Sequence, residues 1–314
     1  MKKFACLAVF ALLFASCTKV GIGDRYLVIK FKFNDTLARM NDAGIVIGDS
    51  IGASNAAVTP KYNSISANFL ALFPNDSSKF SDAIPIYTAA IKDSIAFAFN
   101  KYMVVKEGET FLEIPLTAIK PGSYKWLGAG LAYSNVDVPF KIEYVFNNNT
   151  YNSSYTGTVA TLLSGPSYIN EIQIKDKNII RNGNEPQGFW AFESRFGFGG
   201  FLDSIFTKND YVAPNATTVV NPLFGNTILP NFKSYGITTG KIFGNKSYKN
   251  GDVKEEQTPL VITGLETESI ILELNLSTRN SFIWEDGNQN KMWEPFKGER
   301  IVDMGLRGMK PLIK

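Results

Sequence analysis

The chain has 314 residues, with 32 Lys and Arg against 29 Asp and Glu for a net charge of +3, and it contains no histidine. So small a basic excess, with no cluster of Lys and Arg, excludes a nucleic-acid footprint. Lack of histidine excludes Ser-His-Asp and Cys-His nucleophile pairs and the imidazole sites usual for zinc, copper or haem, which leaves oxygen chemistry: carboxylates, Lys or Tyr for catalysis, or a hard cation held by oxygens.

The first segment joins Met1-Lys2-Lys3 to an apolar run over 4–14 and then Ala15-Ser16-Cys17. A basic start, a run too short to stay in a bilayer and a small-residue cleavage site make a secretory signal. The cysteine directly after Ala15-Ser16 resembles the lipobox of bacterial lipoproteins, with Phe14 where that family usually has Leu. The resemblance implies cleavage before Cys17, diacylglycerol on its sulfur and a fatty acid such as palmitate on the new amine. Thr18 is not the Asp that retains such proteins in the inner membrane, and 18–21 lacks the acidic run that sends some of them to the cell surface. An outer-membrane anchor is therefore expected, facing the periplasm, with the cell surface as the alternative. After the leader no apolar run approaches the ~18–20 residues of a span, so the lipid is the expected membrane attachment. Cys6 leaves with the leader and Cys17 is the other of the two cysteines, so no disulfide is expected and the body must rest on a hydrophobic core.

Residues 1–16 are thus read as signal, 17–24 as a short tether and 25–314 as the body. Over 25–33, Leu27, Ile29, Phe31 and Phe33 alternate with Lys30 and Lys32, the period of a half-buried strand. Residues 34–62 read as a long excursion with little regular structure. Strand-like runs resume at 65–73, 84–90, 95–99, 103–105 and 111–116, and the Pro121-Gly122 turn leads into 124–133. Further runs at 138–146, 155–162, 168–175 and 188–192 are split by Asn147-Asn148-Asn149 and Asn182-Gly183-Asn184. The aromatic and glycine-rich stretch 196–206 reads as a strand bent by its glycines, with a flexible lip as the alternative. Loops around short strands are expected over 208–251, and 260–263 and 270–276 read as two strands about Gly264. The expectation is an all-β fold, an elaborated antiparallel β-sandwich with long loops, built as one body; a two-lobed body is the alternative. The turn Pro121-Gly122-Ser123-Tyr124 also loosely resembles the methanobactin-associated copper-binding lipoproteins, a likeness implying copper handling, for which this chain has no imidazole donors.

Four groups of residues carry candidate chemistry. Asp286, Asn288 and Asn290 alternate oxygen side chains, the spacing resembles an EF-hand-like calcium loop, and the likeness extends to the Met292 carbonyl and Glu294. Lys291 stands where that pattern has Gly and Lys297 where it has the final Glu, so Glu299 is the displaced closing ligand; the alternative is an Asx-rich turn closing a hairpin. Trp284 and Trp293 flank the loop and are expected to be reachable by a ligand such as a sugar ring. Asp-Ser/Thr-aliphatic triplets, which resemble an O-glycosylation acceptor of Gram-negative envelopes, place candidate acceptors at Thr36, Ser50, Ser94 and Ser204, where strand-end roles are the alternative for the last two. For hydrolysis by paired carboxylates the nearest pair is Glu193 and Asp203. The leading expectation is a non-enzymatic lipoprotein that binds a glycan or peptide; a structural adhesin or pilus-associated subunit and a carboxylate-dependent glycoside hydrolase are the alternatives.

Overall fold

The alternation over 25–33 forms β1 (Tyr26–Asn34), whose Leu27, Ile29 and Phe31 are fully buried. The computed structural model describes residues 25–41, 43–93, 96–146, 148–197, 203–212, 223, 237–249 and 251–314; Cys17 and Ser94 lie outside them. The described residues form strands and short 3-10 turns, with no helix long and apolar enough to cross a membrane.

Two main sheets face each other. The first has six strands in the order β17 (Val253–Gln257), β16 (Phe243–Ser247), β22 (Met309–Ile313), β19 (Ile270–Ser277), β1 and β7 (Thr110–Pro115). The second is a curled half-barrel of antiparallel strands in the order β14 (Asp203–Tyr211), β13 (Phe189–Gly197), β10 (Asn149–Leu162), β9 (Trp126–Phe146), β3 (Lys61–Phe73) and β4 (Ile84–Thr88), with β15 (Ile237–Lys241) also paired to β9. Leu27, Ile29 and Phe31 of β1 and Leu272, Leu274 and Leu276 of β19 pack across to Leu70, Leu72, Leu127, Ala129 and Leu131. This is the sandwich core, and burial of apolar faces from both sheets is what holds the layers together.

Three smaller sheets cover the rest. β2 (Asn55–Val58), β20 (Phe282–Glu285) and β21 (Ile301–Asp303) carry Trp284 against the far half of β9; β12 (Asn178–Glu185), β11 (Ser167–Gln173), β6 (Ala96–Ala98) and β5 (Ile91–Asp93) cover the other face of the half-barrel; β18 (Leu260–Ile262) pairs β8 (Gly122–Tyr124).

Several expectations change. The excursion over 34–62 holds β2 and the start of β3, because Asn55–Val58 finds a partner in β20. The strands at 260–263 and 270–276 do not form a hairpin; they belong to different sheets, β18 on β8 and β19 between β1 and β22. The expected all-β sandwich forms, with parallel pairs within it at β1–β19 and β16–β22 and a further one, β6–β11, in a covering sheet. The runs at 124–133 and 138–146 belong largely to one strand, the 21-residue β9.

The fusion of those runs positions the site. Against β3, Leu131 pairs with Ala67 and Tyr133 with Ser66, so Ala132 is an extra residue and the parity of β9 flips there. Leu127, Ala129 and Leu131 face the sandwich core before the bulge; after it Val136, Val138, Phe140 and Ile142 are the buried set, packing with Trp284 and Trp293. Tyr133, Asn135 and Asp137 consequently turn to the opposite face. A second bulge acts on β3, where Tyr62 pairs with Val136 and Ser64 with Asn135, and Asn63 is left between them.

Candidate functional site

The two bulges aim polar side chains into a cleft of about 720 Å³ between the half-barrel and the segments that cover it. Its floor is a connected row. Asn63 Nδ2 donates to Asn135 Oδ1 and Asp137 Oδ1, both at 3.0 Å, and Thr158 Oγ1 donates to Asp137 Oδ1 at 2.7 Å. Asp137 stands opposite Thr158, and Thr158 opposite Glu193, so the row follows the register across β9, β10 and β13. Two of these bonds converge on Asp137 Oδ1, and among the described residues Oδ2 is left free to accept from a ligand. Asp137 is the one carboxylate lining the cleft among the described residues.

One wall is the turn after β11. Glu193, 3% exposed, accepts the main-chain N–H groups of Lys175, Asp176 and Lys177 at 2.9 to 3.1 Å, and Asn135 Nδ2 donates to Ile174 O at 2.7 Å. Three charge-assisted bonds on one buried carboxylate fix that turn relative to the floor. The opposite wall is the segment leading to Lys106, tied to β3 by the mutual bonds of Ile65 and Val105 at 2.9 Å. Phe99 adds an apolar surface, its ring edge-on to Tyr133 with centroids 5.4 Å apart. Burial pushes the Tyr133 phenol up to about 12, against the opposing bond from Asn135, so it stays protonated at physiological pH. Rings beside amides, a carboxylate, hydroxyls and ammonium groups match the mixed surface of a hydroxylated ligand.

The acidic loop is a second, separate arrangement. Asp286 is 6% exposed and accepts the main-chain N–H of Asn290 at 3.1 Å and of Lys291 at 2.9 Å. Asn290 N–H also bonds Asn288 Oδ1, Met292 N–H bonds Asn290 Oδ1, and both Asn288 and Asn290 donate side-chain N–H to Glu294 Oε2. Lys291 takes φ 59°, the left-handed conformation that a Gly would adopt more easily at that place. Glu299 accepts the N–H of Glu294 at 2.7 Å. Burial, with the charges of Glu294 and Asp286, raises the Glu299 carboxyl. Burial alone would also raise Glu294, but the Asn288 and Asn290 amides and the Lys297 ammonium outweigh it and hold that carboxyl below its usual range. Among the described residues no three Asp, Glu, Cys or His side chains form a metal-holding group, so a cation here would also need amide and main-chain oxygens. Asp286, Asn288, Asn290, Glu294 and Glu299 are thus brought together, while Lys297 turns its ammonium to Glu294 at 3.3 Å and Glu143 at 2.9 Å.

The other sequence candidates fall as follows. Trp284 and Trp293 are 2% and 1% exposed; Trp293 packs on Phe192, Phe282 and Trp190, and the expectation that a ligand could reach these rings is corrected. Their loop is polar, but the rings point back under it into the core. Thr36 and Ser50 are exposed, Thr36 in a turn with its hydroxyl on Asn34 Oδ1. Ser204 lies within β14, opposite Phe196, rather than in a loop. Glu193 is spent on the turn it fixes, and Asp203 is four register positions away, opposite Gly197. Of the cleft itself, sequence reading singled out Glu193 alone; the available signal was the polar Asn135 and Asp137, two apart within an apolar strand.

Comparison with protein-family models, curated proteins and solved structures finds no match.

Proposed function

We propose that this protein is a non-enzymatic envelope lipoprotein, anchored to the outer membrane through Cys17, that binds a glycan in the cleft over β3, β9 and β10. The observation that carries the reading is the row Asn63, Asp137 and Thr158, oriented by mutual hydrogen bonds and ending in the free Asp137 Oδ2, beside the Phe99 and Tyr133 rings. A pyranose presents hydroxyl donors at its edge and apolar C–H groups at its face, which suits a polar floor and an aromatic wall. Among the described residues Asp137 has no second acid beside it in the cleft, which favours binding over hydrolysis by two carboxylates.

The test is a glycan array probed with the full-length chain in detergent. Retention of one oligosaccharide class without release of sugar is expected. Asp137→Asn should weaken that retention about tenfold, the ~1.4 kcal/mol of a charge-assisted bond. Release of reducing ends would make the protein a hydrolase, and an array with no retained glycan would remove the reading.

A second proposal concerns the loop over 286–299, which we infer to take up calcium. Hydrogen bonds within the loop gather the side-chain oxygens of Asp286, Asn288, Asn290, Glu294 and Glu299, and the charges of Glu294 and Asp286 add to burial in raising the Glu299 carboxyl, a repulsion that a divalent cation would relieve.

A further inference from the structure

Two cations in the cleft are left over once its internal bonds are counted. Lys106 and Lys175 line it, both are exposed, and neither ammonium has a hydrogen-bond or ion-pair partner among the described residues. They stand at opposite ends. The main chain of Lys175 is held by Glu193 on β13, whereas Lys106 follows Val105, which is bridged to Ile65 on β3. β10 and β9 lie between those strands, so the two supports are three strand spacings apart, roughly 14 Å at about 4.8 Å each. Between them lies Asp137, whose free oxygen takes hydroxyl donors and repels a carboxylate.

We propose that the ligand is an acidic oligosaccharide, a chain of several sugars whose carboxylates meet Lys106 at one end of the cleft and Lys175 at the other, while its hydroxyl groups donate to Asp137 in the middle. This rests on the glycan reading above and narrows it to a charged, extended ligand. A monosaccharide could not reach both cations, and a neutral glycan would leave both without a partner. A ligand carboxylate beside either ammonium gains from the opposite charge, a gain that salt screens.

The experiment uses the full-length chain in detergent against uronate- and sialate-containing oligosaccharides, each beside its carboxyl-reduced form, with neutral oligosaccharides alongside. Acidic members should bind at least tenfold more tightly than their reduced forms, and the preference should shrink as salt rises. Lys106→Gln and Lys175→Gln should each cut that preference several-fold, and the two together should abolish it. Lys32→Gln, an exposed lysine on β1 outside the cleft, is the charge control and should change nothing. Equal binding of acidic and reduced forms, or a loss as large in the control, would overturn the acidic-ligand proposal and leave the glycan reading standing. Binding of no sugar in either form would overturn both, and binding of a peptide instead would replace them.

Discussion

At the scale of single residues, the acidic loop shows how burial changes the meaning of a motif. In the sequence, Asp286 reads as a cation ligand in a polar loop. In the fold it is 6% exposed and holds two main-chain N–H groups, so Asp286→Ala would unseat the loop whether or not calcium binds. Glu299 is the cleaner probe. Its raised carboxyl means that the folded state holds the proton more tightly than the unfolded chain does. The associated stability is present below the unfolded carboxyl range and falls as pH rises through the folded value. Glu299→Gln keeps an oxygen for the Glu294 N–H and removes the repelled charge. Without calcium this variant should melt slightly higher than the parent, by less than about 1 kcal/mol. In the parent, calcium at a hundredfold excess over its dissociation constant should add about 2.7 kcal/mol, magnesium should add less, and Glu299→Gln should lose most of the calcium gain. Identical melting of the parent in calcium and in chelator would leave the stretch an Asx-rich turn held by its own hydrogen bonds.

At the scale of elements, what the sequence made legible follows the constancy of its period. β1 and β19 keep an unbroken alternation, and their expected limits differ from the observed ones by about a residue. β9 was divided because Ala132 shifts the parity and because the outward residues after it, Asn135 and Asp137, are polar. Those are the residues that make the cleft. The bulge and the site are one feature, and a pattern search for continuous alternation discards both. Pairing of distant strands was also out of reach: nothing local places 270–277 parallel to 26–34. The same sheet makes a testable demand at Gly157 on β10. A Cβ there would come within 2.2 Å of Phe192 Cε2 and 3.1 Å of Glu193 O. Phe192 is fully buried, with Phe140 and Trp293 edge-on at centroid distances of 5.2 Å, so the ring has little room to yield. Gly157→Ala should lower the urea midpoint by an amount worth about 1–3 kcal/mol with an unchanged slope. An unmoved midpoint would mean that β10 and β13 can separate locally without cost.

At the scale of the whole molecule, β1 relates the proposed anchor to the proposed cleft. At its start, Arg25 Nε donates to Thr267 O at 2.5 Å and Tyr26 N–H to Ser269 Oγ at 3.0 Å, beside the turn that carries Leu265, 83% exposed. At its other end, Phe31 O accepts from Gly108 N–H, Phe33 N–H bonds Glu107, and the Phe33 ring lies 4.8 Å from Tyr62, next to Asn63 and Lys106 of the cleft. A strand of nine residues at about 3.3 Å per step separates the two ends by about 26 Å. Cys17 is eight positions before Arg25, a reach of at most about 28 Å. As a flexible coil those eight positions average only about 16 Å, less than the length of β1, so if lipid is carried at Cys17 the Leu265 turn should face the bilayer and the cleft should open away from it. The body has no cysteine of its own, so single labels can be placed at Leu265→Cys and at Val104→Cys, which is 43% exposed on the cleft wall. With the lipidated chain in vesicles containing headgroup quencher, the Leu265 label should be quenched strongly and the Val104 label weakly. Cys17→Ser should abolish membrane association and with it both signals. Equal quenching at the two positions in a lipidated, vesicle-bound chain would overturn the orientation while keeping the anchor. A Cys17→Ser chain that still partitions with vesicles would overturn the anchor itself.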